Sequence, residues 1–562
     1  MRTRLTGAQL IAELLKNYGV THVFFVPTIL NNSLYQMEQR TSITRVLAHT
    51  EKAAAYMADG YARASGRVGV CMAQMVGAGN LAAGLRDGAM ASSPMLAITG
   101  GPYDFSRDRF QYQEMDDTPA FAAYTKQSTF VSRFDRLAPS FRQAFRVATT
   151  GRPGPVHLQI ESHWGEVLES QAGEVDPSAE ERFGRLPPFR PSPEADDVVR
   201  AAQLLTSAER PVIVAGGGVG RSDARAELVR LAETLSIPVA SSLTAKDVIP
   251  AGHSLNAGVV GLYSRQSAND IVSRADLVFF IGTKTGSLVT MGWKIPAPGT
   301  SVIQADIDGD IAGLNYRNSA SLVGDAKATL LALIDELAKI TSRRRSGWSE
   351  ETESITAEWY RSQEALRTSD AMPMRPERLC KELSDLLPED AVVVVDTGHS
   401  GVWGASHIDL RSPEQRFVRA AGSLGWALPA AIGAQCAVPD RPVVCFTGDG
   451  GVWYHLSELE TAARWNIPVT VVVNNNNAFN QEIPLWKAAY EGELKGNHAQ
   501  MWQFRPTNFS NVAAELGVES VRVEDPGDLA AALKQSIASE QPTLVEVMTD
   551  IWATAPKPND PG

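Results

Sequence analysis

Short β-branched runs, each closed by glycine, aspartate or asparagine and followed by a stretch at helical spacing, recur from one end of this chain to the other. That alternation constrains the fold more than any other feature. Strands joined through helices pair in parallel, and a parallel sheet needs helices on both faces. "HVFFVP", "RVGVCMAQ" and "MLAITG" read as strands, "EKAAAYMADGYARA" and "GNLAAGLRDGAMA" as helices, and "GRPGPVHLQI" closes a first unit. A second unit runs through "PVIVAGGGVG", "IPVAS", "ADLVFFIG" and "SVIQADID", and a third through "AVVVVDTG", "RPVVCFTGDGG", "IPVTVVVNNNN" and "TLVEVMTD". A chain of 562 residues exceeds what one core supports. The expected fold is therefore α/β, with three consecutive doubly wound parallel-sheet domains.

The expected limits are 1–167 for the first domain, which opens on a helix, 196–340 for the second and 371–550 for the third. Residues 168–195 are rich in proline and charge without apolar period and read as a linker; 341–370 read as a second. The tail 551–562, with Lys557, has no core of its own and either stays disordered or folds over an entrance as a lid. No stretch approaches eighteen consecutive apolar residues, so no membrane span is expected. A net charge of −12 gives no general attraction for nucleic acid, and a polyanionic ligand would need local basic residues or helix N-termini. Cys71, Cys380, Cys436 and Cys445 form no CxxC pair, which points to a reducing, cytoplasmic setting without a disulfide framework.

Ligands of open parallel sheets sit at the carboxyl ends of strands. There, "FTGDGGVWYHLSELETAARWNIPVTVVVNNNN" puts Gly448 and Asp449 after one strand and Asn476 after the next, with a helix between. A carboxylate and a carboxamide oxygen converging on one sheet edge suit a hard cation, most naturally Mg²⁺ completed by water and phosphate oxygens. Gly450 and Gly451 open the following helix, whose amides can accept a diphosphate. GDGG alone is more often a turn; the asparagines at this distance make it a site. By contrast "AGGGVG" lacks GxGxxG spacing and is weak by itself.

The GDGG and asparagine pair resembles the signature of thiamine diphosphate enzymes, and the whole chain looks like their acetolactate synthase and oxalyl-CoA decarboxylase branch. The resemblance implies a pyrimidine-binding first domain, a central domain and a diphosphate-binding third domain. It implies Asp449, Asn476 and the main-chain carbonyl of Ala478 as magnesium ligands. "LAHTEKAAAYMADGYARASG" matches the segment that carries the catalytic acid, Glu51, which would donate to the aminopyrimidine ring. In isolation a glutamate opening a helix reads as dipole complementation. "AAGSLGWALPAAIGAQ" maps the Gly422 carbonyl to the cofactor amino group and Leu424 to the bulky residue that bends the cofactor, whereas plain core is the other reading of Leu424. "VDTGHSG" matches the diphosphate loop at Gly398, His399 and Ser400. Family sites lie between subunits, so a homodimer or homotetramer is implied.

The reaction is less sharply marked. "FQYQEMDDTPAFAAYTKQS" carries Gln113 and Glu114 where synthases have a Gln-Glu pair, yet "YTKQS" is closer to the 2-hydroxyacyl-CoA lyases. "IGTKTGS" replaces the residues that hold FAD in synthases, so FAD is not expected; Asp306 matches a residue that contacts the ribose of ADP in the CoA-dependent branch, which leaves room for ADP. "IPLWKAAYEGELKGNH" covers the substrate lid, and Glu493 adds a carboxylate there, for which plain exposed helix surface is the other reading. A partly desolvated glutamate would suit removal of the 2-hydroxyl proton from a 2-hydroxyacyl-CoA as its C1–C2 bond breaks. The chain is most similar to the actinobacterial 2-hydroxyacyl-CoA lyases, which implies an acyl-CoA substrate and formyl-CoA as product. An acetolactate synthase-like carboligase or 2-oxoacid decarboxylase shares every cofactor residue, and a noncatalytic nucleotide-binding protein is the remote alternative.

Overall fold

Three six-stranded sheets, all parallel within themselves, carry the β-branched runs of the chain. They are described by a computed structural model that covers residues 2–340 and 345–555. Counting strands in chain order within each sheet, the first and third sheets share the spatial order 2-1-3-4-6-5, while the middle sheet runs 3-2-1-4-5-6. The outer domains are thus topological copies of one another. The middle one has the order of a dinucleotide-binding fold, in which ligands sit where the strand order reverses.

The strands are short and saturated with valine because helices cover both faces. Val392–Val395 is buried at every position, as is Val469–Asn475 up to and including its first two asparagines. Each such side chain contributes roughly 1.5–3 kcal/mol on burial. Polar groups can therefore be tolerated only where the strand ends, and that is where Gly448, Asp449 and Asn476 stand.

Two connecting stretches differ from their sequence reading. The chain opens on a strand, Thr3–Thr6, which pairs antiparallel with Ala172–Val175 in the middle of the supposed linker 168–195. Four-residue strands that meet across the domain carry no period of their own, so the pairing is not visible locally. The 341–370 connector contains the 22-residue helix Ser346–Arg367; residues 341–344 lie outside the described residues. Trp348 and Ile355 pack into the middle domain's core and Trp348 Nε1 donates to the Pro211 carbonyl at 3.0 Å. Of the tail, residues 551–555 are described, with Ile551, Ala553 and Ala555 packed and Trp552 exposed; Lys557 lies outside the described residues.

The middle domain also grips the third. Helix His399–His407 ends in carbonyls that find cations from outside its own domain: Lys246 Nζ donates to Gly404 and Ala405, Arg265 Nε to Ser406, and Arg367 Nη1, from the connector helix, to His407. Asp409 pairs with both Arg265 and Arg367. Cations at a helix C-terminus offset its partial negative charge, and partly buried ones do so most strongly.

Candidate active site

The strand order of the third sheet reverses between the parallel neighbours Val392–Val395 and Val443–Gly448, and the candidate site lies at the carboxyl ends of these strands and of Val469–Asn475. Gly448 pairs with Asn474 in register, which sets the GDGG loop beside the asparagines. Asp449 is 3% exposed; its Oδ1 accepts from Gly450 N and its Oδ2 from Ala478 N, both at 2.8 Å. Burial raises its pKa to about 7, more than these bonds lower it. Beside it Asn476 is buried, and its Oδ1 has no hydrogen-bond partner.

The other three asparagines are occupied. Asn474 Oδ1 accepts from Thr549 Oγ1 at 2.6 Å, Asn475 Nδ2 donates to Glu546 Oε1 at 2.6 Å, and Asn477 takes the left-handed turn (φ 57°) while its Oδ1 accepts from Thr507 N. Only Asn476 offers an unused oxygen. A buried carboxylate with a raised pKa next to an orphaned carboxamide oxygen is a set that a divalent cation would satisfy on both counts. No group of three His, Cys, Asp or Glu side chains among the described residues is placed to hold a metal ion, and the donors here are oxygens, which suit a hard ion such as Mg²⁺. Asp449, Asn476 and the Ala478 carbonyl fit that role.

The diphosphate loop is built on Asp396, which ends the Val392–Val395 run. Its Oδ1 accepts from Thr397 N and Gly425 N, and its Oδ2 from the Thr447 hydroxyl, so one buried carboxylate ties three loops together. Burial lifts its pKa to about 6. Gly398 then adopts φ 74°, ψ −157°, a conformation open to glycine alone, and starts helix His399–His407. His399 Nδ1 bonds Asn480 Oδ1 at 2.7 Å, so a bond from its Nε2 to a phosphate oxygen requires the protonated ring. Close approach explains two further glycines: a Cβ on Gly450 would stand 2.2 Å from the Phe479 ring, and one on Gly451 2.5 Å from Asp396 Oδ2.

A pocket of about 240 Å³ collects these groups. Gly398, His399, Ser400, Gly422, Leu424, Gly448, Asp449, Gly450, Gly451, Asn476 and Ala478 all line it. Three residues that sequence reasoning did not find join them. Tyr263 comes from the middle domain and its hydroxyl accepts from Gln481 Nε2 at 3.2 Å; Asn480 and Gln481 follow the asparagine turn. Asp87 acts from outside the pocket: its carboxylate accepts from the amides of Ala421, Gly422 and Ser423 and fixes the loop that leads to Leu424. The aspartate that ends "VVVVD" was a legible signal for Asp396, but Asp87 and Tyr263 arrive from other domains and carry none.

The remaining sequence candidates stand elsewhere. No residue of the first domain lines the pocket. Glu51 opens helix Glu51–Ser65 and accepts from Asn80 Nδ2 at 3.2 Å, beside Gly77 and the 59% exposed Val76. Gln113 lies outside the pocket, with a left-handed backbone (φ 64°), in a loop whose neighbours Phe110 and Tyr112 are 99% and 79% exposed. Glu493 is exposed rather than partly desolvated, because the left-handed pair Glu491 and Gly492 turns the chain outward just before it. Asp306 ends a middle-domain strand and lines a separate cavity of about 630 Å³ with Arg152, Arg221 and Lys284.

Such a site, held at a strand-order reversal between GDGG and an asparagine turn, is one for a metal-bound diphosphate cofactor. Comparison with known families agrees in all three domains: residues 5–120 match the N-terminal TPP binding domain of thiamine pyrophosphate enzymes, 198–333 their central domain and 396–547 their C-terminal TPP binding domain. The chain belongs to the thiamine pyrophosphate enzymes, within the acetolactate synthase family. It is 31% identical to a probable acetolactate synthase large subunit of Methanocaldococcus jannaschii, over 97% of this chain and 92% of that protein. It is 30% identical to the acetolactate synthase isozyme 2 large subunit of Escherichia coli over 98% of each, and 31% identical to an acetolactate synthase of Mycobacterium bovis over 97% of this chain and 88% of that one. Its cofactors are thiamine diphosphate and Mg²⁺. No helix among the described residues is long and apolar enough to cross a membrane.

Proposed function

We propose that the protein is a thiamine diphosphate-dependent carbon–carbon lyase that cleaves a 2-hydroxyacyl-CoA, for example 2-hydroxyisobutyryl-CoA, to a ketone or aldehyde and formyl-CoA. Asp449, Asn476 and the Ala478 carbonyl would hold Mg²⁺, while His399, Ser400 and the amides of Gly450 and Gly451 would receive the diphosphate. Bound thiamine diphosphate supplies a carbon nucleophile that adds to a carbonyl and stores the electron pair released when the neighbouring bond breaks. Glu51 would hold a proton at the aminopyrimidine nitrogen, and Leu424 would support the cofactor from beneath. The pocket is lined by the third domain and Tyr263 alone, and Glu51 stands outside it beside an exposed surface. These facts support a site completed by Glu51 of a second copy, in a homodimer or homotetramer.

The lyase reading rests on the segment that bears Glu493, whose side chain is exposed in this structure. This segment leaves the pocket directly through Asn480, Gln481 and Glu482, and residues 551–553 pack against it. Asn480 Nδ2 donates to the Ile551 and Ala553 carbonyls, and the Trp502 and Trp552 rings stand 6.1 Å apart. A carboxylate on this roof would take the 2-hydroxyl proton once substrate draws the segment inward. The cavity at Asp306, with Arg152 and Lys284, would accept an ADP moiety.

A second reading, an acetolactate synthase-like carboligase or a 2-oxoacid decarboxylase, uses the same cofactor groups, and the names of the relatives favour it over the lyase. Purified protein with thiamine diphosphate and Mg²⁺ should be given pyruvate and, separately, 2-hydroxyisobutyryl-CoA. Acetone with formyl-CoA from the second supports the lyase. Acetolactate or carbon dioxide from the first, with the acyl-CoA untouched, establishes the alternative.

A further inference from the structure

Away from the cofactor pocket, the three domains meet around a cleft of about 300 Å³ whose walls carry five arginines: Arg63, Arg221, Arg225, Arg416 and Arg419. Only two carboxylates, Asp223 and Asp247, share its lining. The first domain contributes Arg63 from the end of helix Glu51–Ser65, the middle domain Arg221 and Arg225, and the third domain Arg416 and Arg419 from the strand Arg416–Arg419.

The pairing within this cluster is incomplete. Arg63 is neutralised by Asp59 and Asp87, and Arg225 by Asp247. Asp223 turns to Lys327. Arg416 pairs loosely with Glu414 at 3.7 Å and otherwise donates Nη1 to the Pro413 and Gln415 carbonyls. Arg221 donates to the Ala91 carbonyl and Arg419 to the Thr397 hydroxyl, and among the described residues neither forms an ion pair. Arg419 is 3% exposed, and its Nε has no hydrogen-bond partner; the Nε of Arg225, buried in the same lining, has none either. The cluster is also tightly drawn, since Arg63 Nη1 donates to the backbone carbonyl of Arg419. Burial, reinforced by the like charge of Arg63, pulls the pKa of Arg221 down to about 10, and burial does the same for Arg419.

Guanidinium groups gathered in excess of their counterions are costly to bury unless an anion completes them, and their planar forks match oxyanions in bidentate geometry. We propose that this cleft is a binding site for a compact oxyanion, a phosphate or a dicarboxylate, held by Arg221, Arg225, Arg416 and Arg419. It is separate from the cofactor pocket and draws ligands from the middle and third domains, with Arg63 of the first domain bonded to the Arg419 carbonyl, so its occupant acts as a clamp on their mutual arrangement. Through Arg419 it also reaches the diphosphate loop, because Thr397 immediately precedes Gly398.

The test is calorimetric titration of orthophosphate into the full chain loaded with thiamine diphosphate and Mg²⁺, which keeps the diphosphate pocket filled. One saturable site per chain is expected, weakened about tenfold or more in Arg416→Gln and in Arg419→Met, as loss of a charge-assisted contact requires. Arg416→Gln alters a side chain that is 26% exposed, so it serves even where Arg419→Met does not fold. Malonate that displaces the phosphate marks the ligand as a dicarboxylate; malonate that leaves it bound marks a phosphate. No saturable binding, a cleft filled by water only, or binding unchanged by both substitutions overturns the proposal.

Discussion

Ala478 N donates to Asp449 Oδ2 at 2.8 Å, so the carboxylate at the end of one strand is pinned to the loop after the next before any metal arrives. The geometry of the ion site is therefore preformed and its charge is what awaits compensation. Asp449→Asn should remove the anionic ligand while keeping the fold. Thiamine diphosphate with Mg²⁺ at a hundredfold excess over its Kd should stabilise the native chain by about 2.7 kcal/mol and the variant by almost nothing. Thermal melts with and without cofactor read the difference.

Gly398 is a second point of leverage. Its backbone angles exclude side chains, and an added Cβ would stand 3.3 Å from Gln481 Oε1 and 3.6 Å from the Leu424 side chain. Gly398→Ala should cost about 1–3 kcal/mol in denaturant unfolding and weaken cofactor affinity more than metal affinity.

The buried network around Asp409 sets an acid limit on stability. Burial alone would raise its pKa, but Arg265 and Arg367 hold the carboxylate well below its usual range. A depressed folded pKa gives stability that is fully present above the unfolded value of about 3.9 and lost as pH falls toward the folded one. Asp409→Asn should cost about 3–5 kcal/mol near neutrality by stranding two guanidinium groups. Its melting temperature should also fall less steeply than that of the native chain below about pH 4.

If Glu51 serves the pocket of a second copy, two dead variants should rescue each other. Glu51→Gln and Asp449→Asn chains, unfolded and refolded together, would form mixed dimers with one intact site each, restoring about a quarter of the native activity. Either variant alone should stay inactive. Absence of rescue in a confirmed mixed dimer would place both residues in one chain's site.

Glu493→Gln separates cofactor binding from cleavage. The exposed side chain touches nothing in the pocket, so the thermal shift on adding thiamine diphosphate and Mg²⁺ should be unchanged. Turnover of the acyl-CoA should fall by about 10²–10⁴, the range for loss of a general base. Equal turnover in the two proteins removes Glu493 from the reaction.

The features legible in the sequence were those with a local physical cause. Gly448, Asp449 and Asn476 interrupt valine-rich strands that admit polar groups only at their ends, and so they announce the sheet edge. The helix Ser346–Arg367 had a signal that was easy to pass over: Trp348, Ile355 and Trp359 recur at helical spacing within an otherwise charged stretch. Asp87 and Tyr263 had none, because each meets the site only after separate domains have docked. Glu493 shows the converse limit, since a residue type suited to a role says nothing of where a turn will aim it.

The cations that close the carbonyl end of helix His399–His407 make the middle domain more than a spacer between two topological copies. Lys246 and Arg265 belong to it, and Arg367 to the helix that leaves it. A shortened chain that joined the outer copies directly would keep every pocket group except Tyr263 yet lose the anchor behind them. Excision of the middle third would have to be matched by new caps on that helix before a minimal enzyme could hold its coenzyme.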